Sequence, residues 1–141
     1  MTQRLQLHAS CVSIAGRGVL LLGDSGSGKS DLALRLIDDG AMLMGDDQVV
    51  LVSSSSQILA SPAPRLEGLI EARGVGIMRL PYITDVPLAL AVKLVAQNAV
   101  ERMPEPEFFD CLGIKLPLLS LHAFESSTPA KIRHYLACIS P

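Results

Sequence analysis

The sequence predicts an α/β protein in which helices pack on a mixed sheet. A wholly apolar run at residues 19–22 is followed by a glycine-rich loop and by a helical pattern at residues 30–39, which gives the order strand, loop, helix. Further short apolar runs predict additional strands. The 141 residues are the size of one domain, so residues 1–141 are expected to form a single folding unit.

The first part of the chain predicts two strands and a helix. Apolar and polar residues alternate over residues 5–13, which predicts a half-buried strand, and a turn follows at 16–18. The run at 19–22 is typical of a strand buried on both faces. Apolar residues recur at helical spacing over residues 30–39, and Gly40 marks the end of that helix.

The rest of the chain adds strands, loops and a last helix. The serine tract at 53–56 predicts a loop, the glycines between 66 and 80 argue against a helix, and the acidic, proline-broken residues 101–110 predict a mobile segment. Thr128 and Pro129 predict the N-cap and first turn of a helix through Cys138. Four more strands are predicted at residues 41–44, 49–52, 86–96 and 116–121.

The composition excludes several classes of protein. Hydrophobic residues make up 49% and charged residues 18%, which excludes an intrinsically disordered chain. A net charge of −2, no basic run and 4% aromatic residues argue against a nucleic-acid partner. The N-terminal residues contain neither a signal-peptide core nor a membrane span. The spacing of Cys11, Cys111 and Cys138 fits neither a disulfide framework nor a zinc site, which favours reduced thiols and a cytoplasmic location.

The most specific motif lies between the predicted strand and helix. Glycines let backbone N–H groups point at phosphate oxygens, and the following helix presents its positive end there. Lys29 is expected to reach the β- and γ-phosphates, and the Ser30 hydroxyl to ligate Mg²⁺. The alternative is a chance glycine-rich turn. The motif is G-x-x-x-x-G-K-[ST], matched by Gly23, Asp24, Ser25, Gly26, Ser27, Gly28, Lys29 and Ser30.

Two carboxylates follow the strand predicted at 41–44. We expect that strand to lie beside the strand at 19–22, which would bring Asp46 and Asp47 close to the γ-phosphate. One could hold Mg²⁺, and the other could accept a proton from an attacking hydroxyl. The spacing does not decide which is which, and a solvated turn with two acids is the alternative.

A third stretch places an acid, a base and two glycines close together. If this stretch is a strand, Glu71 and Arg73 share a face and could meet a metal-bound phosphate together, before Gly74 and Gly76. A surface ion pair before a loop explains the pattern equally well.

In combination, these motifs resemble the catalytic domain of the HPr kinase/phosphorylase family. Order and spacing match over about residues 5–80. The matching features are His8, the loop at 23–30, the helix start at 30–34, Gly40, the pair Asp46 and Asp47, and residues 71–77.

The resemblance implies ATP-dependent phosphorylation of a serine on the phosphocarrier HPr, and its reversal by inorganic phosphate. It implies that Asp47 is the proton acceptor of the kinase reaction, that His8 and Lys29 lie in the active centre, and that Ser30 and Glu71 hold Mg²⁺. Residues 70–79, with Glu71, Arg73, Gly74 and Gly76, would contact the protein substrate. A sheet like that of phosphoenolpyruvate carboxykinases and a hexameric homo-oligomer are implied as well.

The chain departs from the family pattern in three places. It starts only seven residues before His8, so we expect no separate N-terminal regulatory domain. Arg102 is a candidate replacement for the family's Asp-Arg pair and hence for a catalytic role. Residues 122–125 replace the family's proline-glycine-arginine-asparagine segment, which leaves the reverse reaction less supported than the kinase reaction.

Two other functions are compatible with the same sequence motifs. A small-molecule kinase would share the loop, although such enzymes usually carry an arginine-bearing lid, and residues 80–141 contain only Arg102 and Arg133. A regulator that binds a nucleotide, transfers nothing and signals by ordering residues 101–110 is the non-enzymatic alternative.

Overall fold

The structure, a computed structural model that describes residues 2–139, is a mixed α/β protein. Its elements follow one another as β1 Arg4–Leu7, β2 Ser10–Ile14, β3 Arg17–Leu22, α1 Lys29–Asp38, β4 Met42–Gly45, β5 Val49–Ser54, β6 Gln57–Pro62, β7 Leu69–Ala72, β8 Gly76–Arg79, β9 Val86–Leu94, a short 3₁₀ helix Gln97–Ala99, β10 Glu107–Cys111, β11 Ile114–Leu121 and α2 Thr128–Cys138. The predicted α/β class with a mixed sheet is therefore confirmed.

Within residues 2–139, nine strands join into one sheet with both parallel and antiparallel pairs. The order is β1-β5-β6-β9-β3-β2-β4, while β11 pairs with β9 and β10 pairs with β11. Strand β9 is parallel to β3 and to β11, and the other neighbours in this sheet are antiparallel. Strands β7 and β8 form a separate hairpin.

The central strand β3 is covered on both faces. Val19 and Leu21 belong to one apolar cluster with Leu32 of α1 and Ile132 of α2, whereas Leu20 belongs to a second cluster that includes residues of β5 and β6. Successive side chains of a strand point to opposite faces, so a continuous apolar run supplies two cores. The predicted burial of this strand on both faces is confirmed.

The order strand, loop, helix is confirmed as well. Helix α1 begins at Lys29, one residue earlier than predicted, and its chain leaves through Gly40, whose φ of 109° is left-handed. Glycine adopts this conformation without the steric cost that a Cβ would add. The loop between β3 and α1 is therefore held between a buried strand and a helix with one buried face.

The single strand predicted over residues 5–13 is wrong. It is two strands, because β1 pairs with β5 while β2 pairs with β3 and β4. The chain changes partners at His8 and Ala9, where the Ala9 N–H donates to the Asp47 carbonyl at 3.2 Å. Alternation along a sequence reports which face is buried and does not report which strand is the partner.

The prediction that the strand before Asp46 lies beside β3 is also wrong. That strand is β4, and β2 lies between β4 and β3. Residues Ala15 and Gly16, both with positive φ, form the tight turn that folds β2 back onto β3. Strand β2 of this hairpin therefore lies beside β3, where β4 was expected to lie.

Other differences concern loops and element ends. Residues 107–110 of the predicted mobile segment belong to β10, which pairs with β11. Residues 53 and 54 of the serine tract belong to β5, and the last helix begins at Thr128 with Ser127 as its N-cap. In the part of the chain that the structure describes, helices are too short or too polar to cross a membrane.

Candidate functional site

A cavity of about 620 Å³ opens where the glycine-rich loop meets the first turn of α1. It also reaches the turn after β4, the β7–β8 hairpin and the segment after β11. Its lining residues are His8, Ser10, Ser25, Gly26, Gly28, Lys29, Ser30, Asp31, Leu34, Asp47, Glu71, Ala72, Arg73, Val75 and Phe124.

Two positions in the loop require glycine for lack of space. A Cβ on Gly28 would lie 2.7 Å from Ala123 Cβ and 2.8 Å from Phe124 Cζ, and one on Gly23 would lie 2.5 Å from Ser27 Oγ. Both glycines also have positive φ. The loop therefore packs closely on itself and on the segment after β11.

Lys29 is buried beneath this loop. It is 7% exposed, and its Nζ donates to the carbonyls of Gly23 at 2.7 Å and Asp24 at 3.0 Å. An ammonium group has three N–H donors. Two of them hold the start of the loop, and the third can be directed at a ligand in the cavity.

Asp46 is the centre of a buried hydrogen-bond network. Its Oδ1 accepts from Ser10 Oγ at 2.6 Å and from Ser30 Oγ at 2.7 Å, and its Oδ2 accepts from the Glu71 N–H at 3.1 Å. Asp46 is 5% exposed and Ser10 is fully buried. This network joins β2, α1 and β7, so the orientation of the carboxylate is fixed from three sides.

Asp47, the next residue, has the opposite surroundings. Its side chain is 67% exposed, and Oδ1 lies 3.8 Å from Nδ1 of His8. Its φ of 70° is left-handed, which aspartate tolerates better than most residues do. This turn brings the Asp47 carboxylate to the opening of the cavity, beside His8.

The β7–β8 hairpin forms another wall of the cavity. Glu71 and Arg73 both line it, although Arg73 lies in the turn after β7 and does not share a strand face with Glu71. Gly74 and Gly76, with φ of 91° and 106°, shape that turn without lining the cavity. The hairpin thus brings a carboxylate and a guanidinium to the same opening.

Arg102 is a predicted catalytic residue that the structure does not bring to the cavity. It is exposed in the segment between the 3₁₀ helix and β10, and within residues 2–139 it is not part of the cavity lining. Its predicted catalytic role has no support in the geometry.

Sequence reasoning missed two residues of the site. The sequence places Ser10 only within the alternating pattern of residues 5–13, and its hydrogen bond to Asp46 depends on a contact 36 residues away. Phe124 was noted only as part of a segment that departs from the family pattern. Neither position has a local sequence signal, because both depend on which elements pack together.

The carboxylates, hydroxyls and ammonium group of this cavity match what phosphoryl transfer requires. Oxygen ligands are available at Ser30 and Asp46, a cation at Lys29 and an exposed base at Asp47.

Comparisons with known proteins point to the same chemistry. A family model described as the HPr Serine kinase C-terminal domain matches residues 1–121. An HPr kinase/phosphorylase of Ralstonia pickettii is 33% identical over 129 residues, which cover 84% of this chain and 40% of that protein. One of Caldicellulosiruptor bescii is 34% identical over 131 residues, with coverages of 84% and 42%.

A solved structure supports the same relationship. The Hpr(Ser) kinase/phosphatase from Coxiella burnetii matches with a TM-score of 0.82 and 25% identity, over 95% of this chain and 92% of that one. The chain spans about 40% of the length of the first curated relatives it matches. From these matches, the chain belongs to the family of HPr serine kinase C-terminal domains.

Proposed function

We propose that this chain is an ATP-dependent protein kinase that phosphorylates a serine of the phosphocarrier HPr. The observation that carries the proposal is one cavity lined by Ser30 and by the exposed Asp47, in which the Ser30 hydroxyl donates to the buried Asp46. The names of the family's members supply HPr as the protein substrate.

ATP fits the glycine-rich loop as its phosphate site. Ser27 Oγ is buried and has no hydrogen-bond partner among residues 2–139, so this polar atom can accept or donate a bond when a ligand enters. The N-terminus of α1 supplies backbone N–H groups and the positive end of the helix dipole. Lys29 adds the charge that balances the phosphate oxygens.

Mg²⁺ fits the oxygen atoms around Asp46. Ser30, Asp46 and Glu71 would hold it, with ATP phosphates completing its coordination, as is usual for Mg²⁺ in such sites. Residues 2–139 contain no group of three or more His, Cys, Asp or Glu side chains arranged for a metal. The metal is therefore expected to bind together with the nucleotide; when bound, it would neutralise charge on the transferred phosphoryl group.

The transfer step assigns different roles to the two aspartates. The serine hydroxyl of HPr attacks the γ-phosphorus, Asp47 accepts the hydroxyl proton, and the bond from the γ-phosphorus to the bridging oxygen of ADP breaks. His8 lies at the same opening, with its Nδ1 3.8 Å from Asp47 Oδ1. In the reverse direction an oxygen of inorganic phosphate attacks the phosphorus of phosphoserine, the bond from that phosphorus to the serine oxygen breaks to give pyrophosphate, and Asp47 returns the proton to the serine oxygen.

The exposed apolar surface beside the cavity supports a protein as the substrate. Val75 and Ile77 of the β7–β8 hairpin are 70% and 67% exposed, and Val75 lines the opening next to Arg73. Exposed apolar side chains at the rim of a site favour contact with another protein surface over a small polar metabolite.

Location and assembly follow from the same proposal. The use of ATP and the three free cysteines agree with the cytoplasm, where thiols stay reduced. A homo-oligomer, hexameric in the family pattern, is the proposed assembly, and light scattering of the purified chain measures it.

The experiment is incubation of the purified chain with γ-labelled ATP, Mg²⁺ and HPr. The proposal predicts label on HPr, located on one serine by mass spectrometry, and none on HPr whose target serine is replaced by alanine. Label on a small metabolite added in place of HPr would identify a small-molecule kinase. ATP binding without transfer to either substrate would identify a nucleotide-binding regulator.

A further inference from the structure

Phe124 is an aromatic side chain in an unusual position. It is 58% exposed, it lines the cavity, and the edge of its ring lies against Gly28 of the glycine-rich loop. A Cβ on Gly28 would lie 2.8 Å from Phe124 Cζ and 3.2 Å from Cε1. Phe124 also lies beyond residues 1–121, the part of the chain that the family model matches.

The backbone on both sides of this ring is held by partly buried hydrogen bonds. The Arg35 guanidinium of α1 donates to the Ala123 carbonyl, and Thr128 Oγ1 donates to the His122 carbonyl at 2.5 Å. His122 Nδ1 bonds the Val95 carbonyl at 3.0 Å, which requires the Nδ1–H form of the ring.

The two rings also contact each other. The His122 and Phe124 centroids are 5.8 Å apart at an interplanar angle of 72°, an edge-to-face pair. The phenyl ring is thus exposed to solvent while its segment is fixed to α1, to the residue after β9 and to the start of α2. A ring held in place before a ligand arrives loses little conformational entropy on binding.

We propose that Phe124 stacks on the nucleobase of the nucleotide whose phosphates occupy the loop from Gly23 to Ser30. The inference rests on the proposed function, because it assigns the other end of the same ligand. Aromatic rings bind bases through their faces, and Phe124, exposed beside Gly28, is the phenyl ring among the residues that line this cavity. Phe124 accordingly distinguishes a nucleotide from a bare polyphosphate.

The test compares two probes on the full chain, Mg·ATP and Mg·pyrophosphate, by calorimetry. Phe124→Ala is expected to weaken ATP binding about 5- to 150-fold, the range for loss of one base–aromatic stack. Pyrophosphate has no base, so its dissociation constant is expected to change by less than about twofold. Phe108→Ala is the matched control, because Phe108 is also 58% exposed but lies on β10 outside the cavity lining.

A fluorescence measurement tests the same contact without removing the aromatic ring. The chain contains no tryptophan, so Phe124→Trp introduces a single tryptophan, whose fluorescence can be excited separately from that of the two tyrosines. We expect Mg·ATP to quench it through stacking and Mg·pyrophosphate to leave it largely unchanged. Phe108→Trp is expected to respond to neither probe.

The outcomes separate this inference from the proposed function. Equal weakening of ATP and pyrophosphate by Phe124→Ala would mean that the ring only supports the loop, and unchanged ATP binding would mean that it makes no contact with the base. Either result overturns the inference while leaving the kinase proposal intact. A wild-type chain that binds neither probe contradicts the proposed function and this inference together.

Discussion

The cavity has a floor and a rim that differ in solvent exposure and in hydrogen bonding. Floor residues are buried or partly buried and bonded to one another or to the loop backbone, whereas rim residues are exposed. The floor consists of Ser10, Lys29, Ser30 and Asp46, and the rim consists of His8, Asp47, Arg73, Val75 and Phe124.

The difference indicates a division of work within the cavity. Charged groups that are buried need partners, and the floor supplies them through hydrogen bonds that also fix their geometry. Rim groups keep contact with water and can therefore meet a substrate that arrives from solution. We infer that the floor binds phosphate and metal while the rim carries out proton transfer and substrate recognition.

The largest expected effect is that of Asp47→Asn at the rim. Loss of a positioned general base is expected to lower the rate of HPr phosphorylation by about 10²- to 10⁴-fold. ATP binding measured by calorimetry should be unchanged, because the loop and Ser30 are intact. Asp110→Asn, at an exposed aspartate of β10, is the control that should retain full activity. Weakened ATP binding in Asp47→Asn would move this residue from proton transfer to binding.

The next largest effect is that of Lys29→Ala in the floor. Removal of the buried ammonium group takes a positive charge from the phosphates and releases the carbonyls of Gly23 and Asp24. Kinase activity should fall by at least about 10²- to 10³-fold, the cost of losing one preorganised electrostatic contact, and weak ATP binding should persist through backbone N–H groups. Lys115→Ala, at an exposed lysine of β11, is the matched control. Full activity in Lys29→Ala would remove the loop from the mechanism.

The smallest effect is a stability change from Ser10→Ala. This substitution removes a donor at 2.6 Å from the buried Asp46 and should lower the free energy of unfolding by about 1–3 kcal/mol in urea titrations. Ser61→Ala breaks a longer, more exposed bond of 3.3 Å to Asp85 and should cost less than about 0.5 kcal/mol. Equal costs for the two variants would contradict the buried character of the floor.

The floor was the more predictable half of the site. Lys29 and Ser30 follow from a motif of eight consecutive residues, and the strand before it and the helix after it follow from local apolar patterns. Asp46 and Asp47 were recognised as a pair, although their separate environments were not. The burial of Asp46 beside an exposed Asp47 depends on β2 and β7, which are distant in the sequence and contact Asp46.

The parts that sequence did not predict share a physical cause. The position of β4 and the division of residues 5–13 into β1 and β2 depend on strand pairing, which alternation does not specify. The β7–β8 hairpin was obscured by the glycines that form its turn. Phe124 reaches the cavity because Arg35 and Thr128 hold its segment against α1 and α2.

The central claim is that two adjacent aspartates do different work, Asp46 through the metal and Asp47 through the proton. The most direct measurement is the kinase rate of Asp46→Asn and Asp47→Asn over a range of Mg²⁺ and Mn²⁺ concentrations. We predict partial recovery of Asp46→Asn at high Mg²⁺ or with Mn²⁺, and no recovery of Asp47→Asn at any metal concentration. Recovery of Asp47→Asn together with an unrecovered Asp46→Asn would reverse the assignment, and wild-type rates in both would contradict it.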